Sequence, residues 1–418
     1  MRSEELTGHG AILDQLKFIR SLRDRTRAVQ WPASIRANMS ANPSYRAAHL
    51  VAPTIEAHFN QHLSGARHRG EAGLASAPDA TTIETIIDAT FWASFRPEEG
   101  RFPRISLAYL SPDRARHALQ FEHPLPVTPA MLTKLAPAVE RPGIHLGVWR
   151  QGEDLSVWGA TSVIPSLGFV IEDVEPGLLV VKHRRIDGFG KYVNVAILKG
   201  EQIKIVDELA TSLPDCPDLH KSLRAFTSPA RGTDSVNVLV QLAASMRAHG
   251  HGGSLLVVPA GTTRWRDSIV EPILYSVAPS FSKLAKLMNQ RPSAENETGW
   301  LAALTNSIDM VAGLTAVDGA TIISGLYEVL AFGAKTRRSS HGEIVEQMML
   351  TEPIVGNQPA IVPPVQHGGT RHLSAVQFIH DQRDALALVA SQDGRFTVFA
   401  WSPCEQMVHA HRVDALLM

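Results

Sequence analysis

With 418 residues, 44% apolar and 19% charged, the chain has an ordinary globular composition and too much length for one core, so two or three domains are expected. Forty basic side chains against 41 acidic ones leave a formal charge of -1. That balance gives no extended positive field, so neither DNA nor RNA is expected as a partner, whereas a small phosphorylated ligand needs only a few local donors.

The opening MRSEELTGHG carries charge with no apolar run behind it and does not read as a secretory leader. Residues 1–95 read as a mainly helical first segment. Ile12, Leu16, Ile19 and Leu22 recur at helical spacing, as do Ile83, Ile86, Ile87 and Phe91. Between them a polar stretch rich in Gly and Ala, residues 64–80, reads as a mobile loop that includes Arg67-His68-Arg69. Residues 96–225 read as an antiparallel β-rich domain plus a linker. The runs ISLAYL, LGVWR, LSVWGATSV, GLLVVKHRR and YVNVAILKG are separated by Pro176-Gly177, Asp187-Gly188 and Lys199-Gly200. No chemistry stands out there. Lys182-His183-Arg184-Arg185 ends a strand and reads as a solvated sheet edge. The linker, 211–234, has room for a short helix. Cys216 and Cys404 match no zinc or redox spacing and read as free thiols in a reducing compartment.

Residues 226–418 read as a mixed β-sheet flanked by helices, which makes the chain α/β, or α+β taken whole. Val236, Leu239, Val240, Ala243 and Met246 mark a helix that stops at His249-Gly250, and Gly253 leads into the buried strand SLLVVP. A long helix carries Leu301, Leu304, Ile308 and Val311, followed by strands ATIIS and EVLAFGA. A helix from Thr370 to His380, strand ALALVAS, a turn at Asp393-Gly394 and strand FTVFAW complete the series. The longest apolar stretch, Ile308 to Leu326, is interrupted by Asp309, Asp318 and glycines and cannot span a bilayer. A soluble, cytoplasmic protein without a membrane partner is expected.

Two clusters carry chemistry. Asp318-Gly319-Ala320-Thr321 lies where the long helix hands over to a strand. Asp318 could hold Mg2+ or Mn2+, hard cations that favour carboxylate oxygen, and Gly319 would let a ligand approach the backbone. The plainer reading is an Asp-Gly turn. Gly368-Gly369-Thr370-Arg371-His372 precedes an apolar-periodic helix. Thr370 is an N-cap candidate, Arg371 offers a planar fork for phosphate, and His372 adds a second donor. The plainer reading is a capped helix with an exposed Arg and a half-buried His. His409 and His411 could share a metal but lack a third ligand.

Together, DGAT at 318–321 and GTRHLSA at 369–375 resemble the paired motifs of diadenylate cyclase domains, Asp-Gly-Ala and Gly-Thr-Arg-His-Arg. The resemblance covers residues 235–403, with GGSLLVVP at 252–259 as the opening strand and Ser391 ending a later one. Trp265, Ser268, Pro272, Tyr275, Val277 and the phrase VLAFGAK are similar to the branch described as a probable sensor domain, DACNV. The resemblance implies an adenine nucleotide or cyclic dinucleotide bound by Asp318, Gly319, Ala320, Thr321, Gly369, Thr370, Arg371, His372 and Ser391. It also implies a metal and catalytic role for Asp318 if the domain is active, with a second copy of the chain or an effector protein as partner. Two departures favour sensing over synthesis: Leu373 stands where the cyclases have a second Arg, and Ser391-Gln392-Asp393 where several have Ser-Glu-Glu. Loss of one phosphate-directed charge removes roughly 3 kcal/mol or more of transition-state stabilisation. An active cyclase joining two ATP, and a scaffold with a vestigial site, are the alternatives.

Overall fold

The computed structural model describes residues 44–116, 118–152, 154–186, 192–207, 209–224, 237–290, 296–340 and 342–418. The helix expected around Ile12 to Leu22 and the turn at Asp187-Gly188 lie outside them. Arg46–Met418 form one compact unit.

Helix α1, Arg46–His68, buries Val51, Ile55, Phe59 and Leu63, one residue per turn on a single stripe. It runs through Arg67-His68, so the expected loop starts later than residue 64. Helix α2, Ala80–Ser94, is capped by Asp79, whose carboxylate accepts from the Thr82 N–H at 2.7 Å, and buries Ile83, Ile86, Ile87 and Phe91.

Strands β1 Ser106–Tyr109, β2 Leu119–Pro126, β3 His145–Gln151, β4 Asp154–Thr161, β5 Phe169–Glu175, β6 Leu178–Arg184, β7 Tyr192–Lys199 and β8 Gln202–Ile205 form one sheet, ordered β2-β4-β3-β1-β5-β6-β7-β8. It is not wholly antiparallel: β1 and β3 run parallel, with Leu107 opposite Leu146. The long connection through β2 and helix α3, Pro129–Leu135, returns the chain to its starting end, as a parallel pair requires. Strand β6 lies between β5 and β7 and is buried through His183, so Lys182-His183 is no solvated edge. Lys182 instead extends its ammonium to Glu172 at 2.7 Å.

The second sheet has nine strands: β9 Gly253–Val258, β10 Tyr275–Phe281, β11 Ala320–Ser324, β12 Val329–Ala334, β13 Met348–Thr351, β14 Ala360–Val362, β15 Leu386–Ala390, β16 Phe396–Ser402 and β17 Met407–Arg412. Their order is β10-β12-β11-β9-β15-β16-β17-β13-β14, with β9/β11 and β13/β17 parallel. The helices are α4 Pro217–Ser222, α5 Val238–Ala248, α6 Lys283–Met288, α7 Glu297–Leu314 and α8 Thr370–Asp381. The alternation of β9 shows why the sheet is covered on both sides. Leu255 and Val257 pack with Leu242, Met246, Leu304 and Ile308 of α5 and α7, whereas Leu256 and Val258 pack with Phe378 and Ile379 of α8.

The two sheets meet along a seam. Val206, just past β8, bridges Ile354, and the Val355 N–H donates to the Ile205 carbonyl at 2.9 Å. Asn194 donates to the carbonyls of Ala415 and Met418. Glu352 receives Lys204 Nζ at 2.5 Å and Arg412 Nη2 at 2.8 Å, and Arg412 lies 3.3 Å from Asp414. Cys216, at the start of α4, and Cys404, in the β16–β17 turn, are joined as a disulfide with their Cα atoms 5.9 Å apart. They are not free thiols, and the reducing compartment inferred from free thiols loses that support. Among the described residues no helix is long and apolar enough to cross a membrane.

Candidate functional site

The start of α8, the start of β9 and β11, and the end of β12 surround a cleft of ≈ 170 Å³. Ser254 and Leu256 form its floor, Asp318, Gly319 and Ala320 one wall, Ala334, Lys335 and Thr336 another, and Thr370, Arg371, Ser374 and Ala375 the helix side. Both motifs therefore reach one place. The parallel pairing of β9 with β11 sets Ser254 beside Ala320, and the antiparallel return of β12 brings Ala334 opposite Ala320.

Asp318 is exposed, and its carboxylate accepts from Lys335 Nζ at 2.5 Å. The hydrogen bond and charge of Lys335, with Arg371 further off, hold Asp318 below the ordinary carboxylate range. Among the described residues it is the one carboxylate lining the cleft, and the Lys335 ammonium already engages it. A Mg2+ or Mn2+ bridging Asp318 to a ligand's phosphate oxygens, as the resemblance implies, would have to displace Lys335 from that carboxylate. Gly319 has φ 117°, and a Cβ there would lie 2.5 Å from the carbonyl carbon of Gly333, itself at φ 61°. Its freedom serves the close approach of the backbone before β11 to β12.

At the helix end Gly369, not Thr370, is the N-cap. It is extended, and its carbonyl accepts from the N–H groups of His372 and Leu373, closing the first turn without a side-chain cap. Thr370 is thus the first helical residue, with its side chain on the cleft. The Arg371 guanidinium forms no ion pair with another described residue and lies beside Gly252, 3.0 Å from where a Cβ would sit.

Four expected residues do not line the cleft. Thr321 is buried within β11, and Gly369 is exposed outside the lining. His372 turns inward: its ring packs against His367 at 5.3 Å and Phe399 at 5.9 Å, and burial pushes its pKa down. Turned into the core, His372 is not among the residues lining the cleft, where a second donor was expected. Gly368 makes room for it, since a Cβ there would lie 2.5 Å from the ring. Ser391 belongs to a turn closed by its N–H to the Arg395 carbonyl at 2.9 Å. Leu373 is half-buried, and Val376 and Ile379 on its face enter the core.

Lys335, Ser254, Thr336 and Ser374 complete the cleft, and no local sequence pattern marks them as ligand-facing. Lys335 stands at the end of VLAFGAK, so the phrase was visible but the cation's role was not. Beyond Gly333, the rings of Tyr275 and Phe332 stack in parallel at 4.8 Å on the outer strands, with Tyr275 exposed.

Among the described residues His409 and His411 gain no third metal-ligating side chain. Both are buried and share the Thr351 hydroxyl, at 2.7 Å and 2.8 Å, which donates to one ring and accepts from the other. Burial lowers His409 to about 3 and His411 to about 4, so both rings are neutral.

A second, wider cavity of ≈ 520 Å³ lies in the first half of the molecule, lined by Arg114, Arg116 and Arg184 with Asp113, Gly73 and residues 163–166. Arg114 donates to the Leu74 carbonyl at 2.7 Å and Arg184 to the Ile164 carbonyl at 2.6 Å, which fixes both guanidinium groups.

The family model described as probable sensor domain DACNV matches residues 72–162. This supports a relationship to that family over α2, α3 and β1 to β4, not over the stretch 235–403 on which the motif resemblance rests. No curated protein matches the chain. A crystal structure from Bacillus cereus, described as a hypothetical membrane spanning protein, aligns at 16% identity over 45% of this chain and 68% of its own. Its TM-score is 0.25, and it carries no argument about fold or function.

Proposed function

We propose that the protein is a nucleotide sensor that takes the phosphate of an adenine nucleotide or cyclic dinucleotide into the cleft at the start of α8. The observation that carries this reading is the convergence of Arg371, Lys335, Thr370 and Ser374 around the free end of a 12-residue helix. The match to a probable sensor domain fits the same role. At ≈ 170 Å³ the cleft is smaller than the roughly 300–1,000 Å³ that encloses a drug-sized ligand, so phosphate would enter it and the base would lie outside. The Tyr275–Phe332 stack beyond Gly333, with Tyr275 exposed, offers a base such a surface. Phosphate would displace Asp318 from Lys335, which gives the bound state a local signature.

Sensing is favoured over cyclisation because Leu373 stands where the cyclases have a phosphate-directed Arg and Lys335 already engages the Asp318 carboxylate. A second reading puts the anion in the arginine-lined cavity, since Gly73, Asp113, Arg114 and Arg116 fall inside the sensor-domain match and its ≈ 520 Å³ is of ligand size.

Purified protein incubated with ATP and Mn2+, with products read by mass spectrometry and binding by calorimetry, tests these readings. Saturable binding of ATP or cyclic di-AMP, weakened about 10- to 100-fold by Arg371→Ala with ATP unchanged, is expected for the loss of a charge-assisted contact of about 1.5–3 kcal/mol. Binding lost in Arg116→Ala but not in Arg371→Ala would move the site to the other cavity. A cyclic product that disappears in Asp318→Asn would make the protein an enzyme.

A further inference from the structure

His58 and His62 lie four residues apart on α1, on one face, and strand β6 brings His183 against them. The rings of His58 and His62 stack at 4.1 Å, and each is 5.5 Å from the ring of His183. One nitrogen from each ring lies within 4.8 Å of the others.

The hydrogen bonds fix which nitrogen two of the rings present. His62 Nδ1 meets the His58 carbonyl at 2.9 Å, and His183 Nδ1 meets the Arg184 carbonyl at 3.1 Å. A carbonyl only accepts, so each Nδ1 carries the proton and the lone pair is on Nε2. An Nδ1–H held by a carbonyl is the outer arrangement that orients a metal-binding imidazole.

We infer that His58, His62 and His183 form a site for a borderline divalent transition ion such as Zn2+, bound by three imidazoles and completed by water. An all-nitrogen set disfavours Mg2+ and Ca2+, which take oxygen. Ligands about 2.0–2.1 Å from a tetrahedral ion lie about 3.4 Å apart, so small side-chain rotations close the remaining gap. His183 is buried, whereas His58 and His62 are half-exposed, which leaves the ion's fourth position open to solvent. Bound metal would pin α1 to β6, directly behind Phe59 and Phe169, whose rings lie 5.5 Å apart.

The test uses the full chain without an affinity tag, stripped with chelator and reloaded with Zn2+ or Co2+. One Zn2+ retained per chain after dialysis, a tetrahedral Co2+ absorption competed out by Zn2+, and a higher Tm with metal are expected. His62→Asn and His183→Asn should each weaken Zn2+ binding at least tenfold, while His68→Asn, exposed on the same helix, should not. Zn2+ retention equal in His62→Asn and the unmutated chain would overturn the site. Should a variant not fold, the Co2+ spectrum of the unmutated chain decides, and absence of the tetrahedral band overturns the proposal.

Discussion

Glu352, Lys204, Arg412 and Asp414 at the seam, and Asp318, Lys335 and Arg371 at the cleft, draw on the same side-chain types in opposite surroundings. At the seam Glu352 is 12% exposed and holds two cations at once, and burial pushes the Asp414 carboxyl up against the pull of Arg412. At the cleft the Asp318 carboxylate is 89% exposed and holds one ammonium, and Arg371, further off, forms no ion pair with another described residue. Buried charges cannot exchange partners without leaving one another stranded in a poor solvent, so they fix structure. Exposed ones can trade a weak internal partner for a ligand's phosphate.

Three measurements would break or sharpen that contrast. Glu352→Gln takes the charged partner from Lys204 and leaves Arg412 with Asp414 alone, both cations being about a quarter exposed, and is expected to lower unfolding stability by about 1.5–3 kcal/mol, read from urea denaturation. Acidification should act on the buried side as well. His367, His409 and His411 are lowered to about 4, 3 and 4, while the unfolded chain titrates near 6.5. Between these values the unfolded state binds more protons, so stability falls as pH drops below 6.5, by on the order of 1 kcal/mol per unit for each histidine. Thermal melts from pH 7 to pH 5 measure this slope, and His409→Asn should flatten it. Smallest is Lys335→Ala, which should leave the urea midpoint essentially where it is; a clear drop would mean that the cleft's ion pair is structural too.

Much of the second sheet is legible in the sequence because its strands are buried on both faces. ATIIS, SLLVVP and FTVFAW are continuous apolar runs, and they match β11, β9 and β16 within a residue or so. β14 is three residues and largely exposed, and β17 carries two histidines, so neither has a strand's usual signature. The parallel β1–β3 pair and the seam depend on contacts between distant segments, which no local pattern encodes. In the cleft, Asp318, Gly319, Ala320, Thr370 and Arg371 were recognisable by their motifs. Lys335 was not, since a lysine ending a strand is ordinarily just a solvated charge. The inward turn of His372 is set by how α8 rests on Phe399, and the helix sequence alone does not contain that register.

The disulfide between Cys216 and Cys404 spans a sequence separation of 188 and turns the second half of the chain into a covalent ring. Every residue lining the cleft, from Ser254 to Ala375, sits within that ring. A protease that cuts the backbone once anywhere inside it releases nothing: the two pieces stay one molecule until the bridge is reduced.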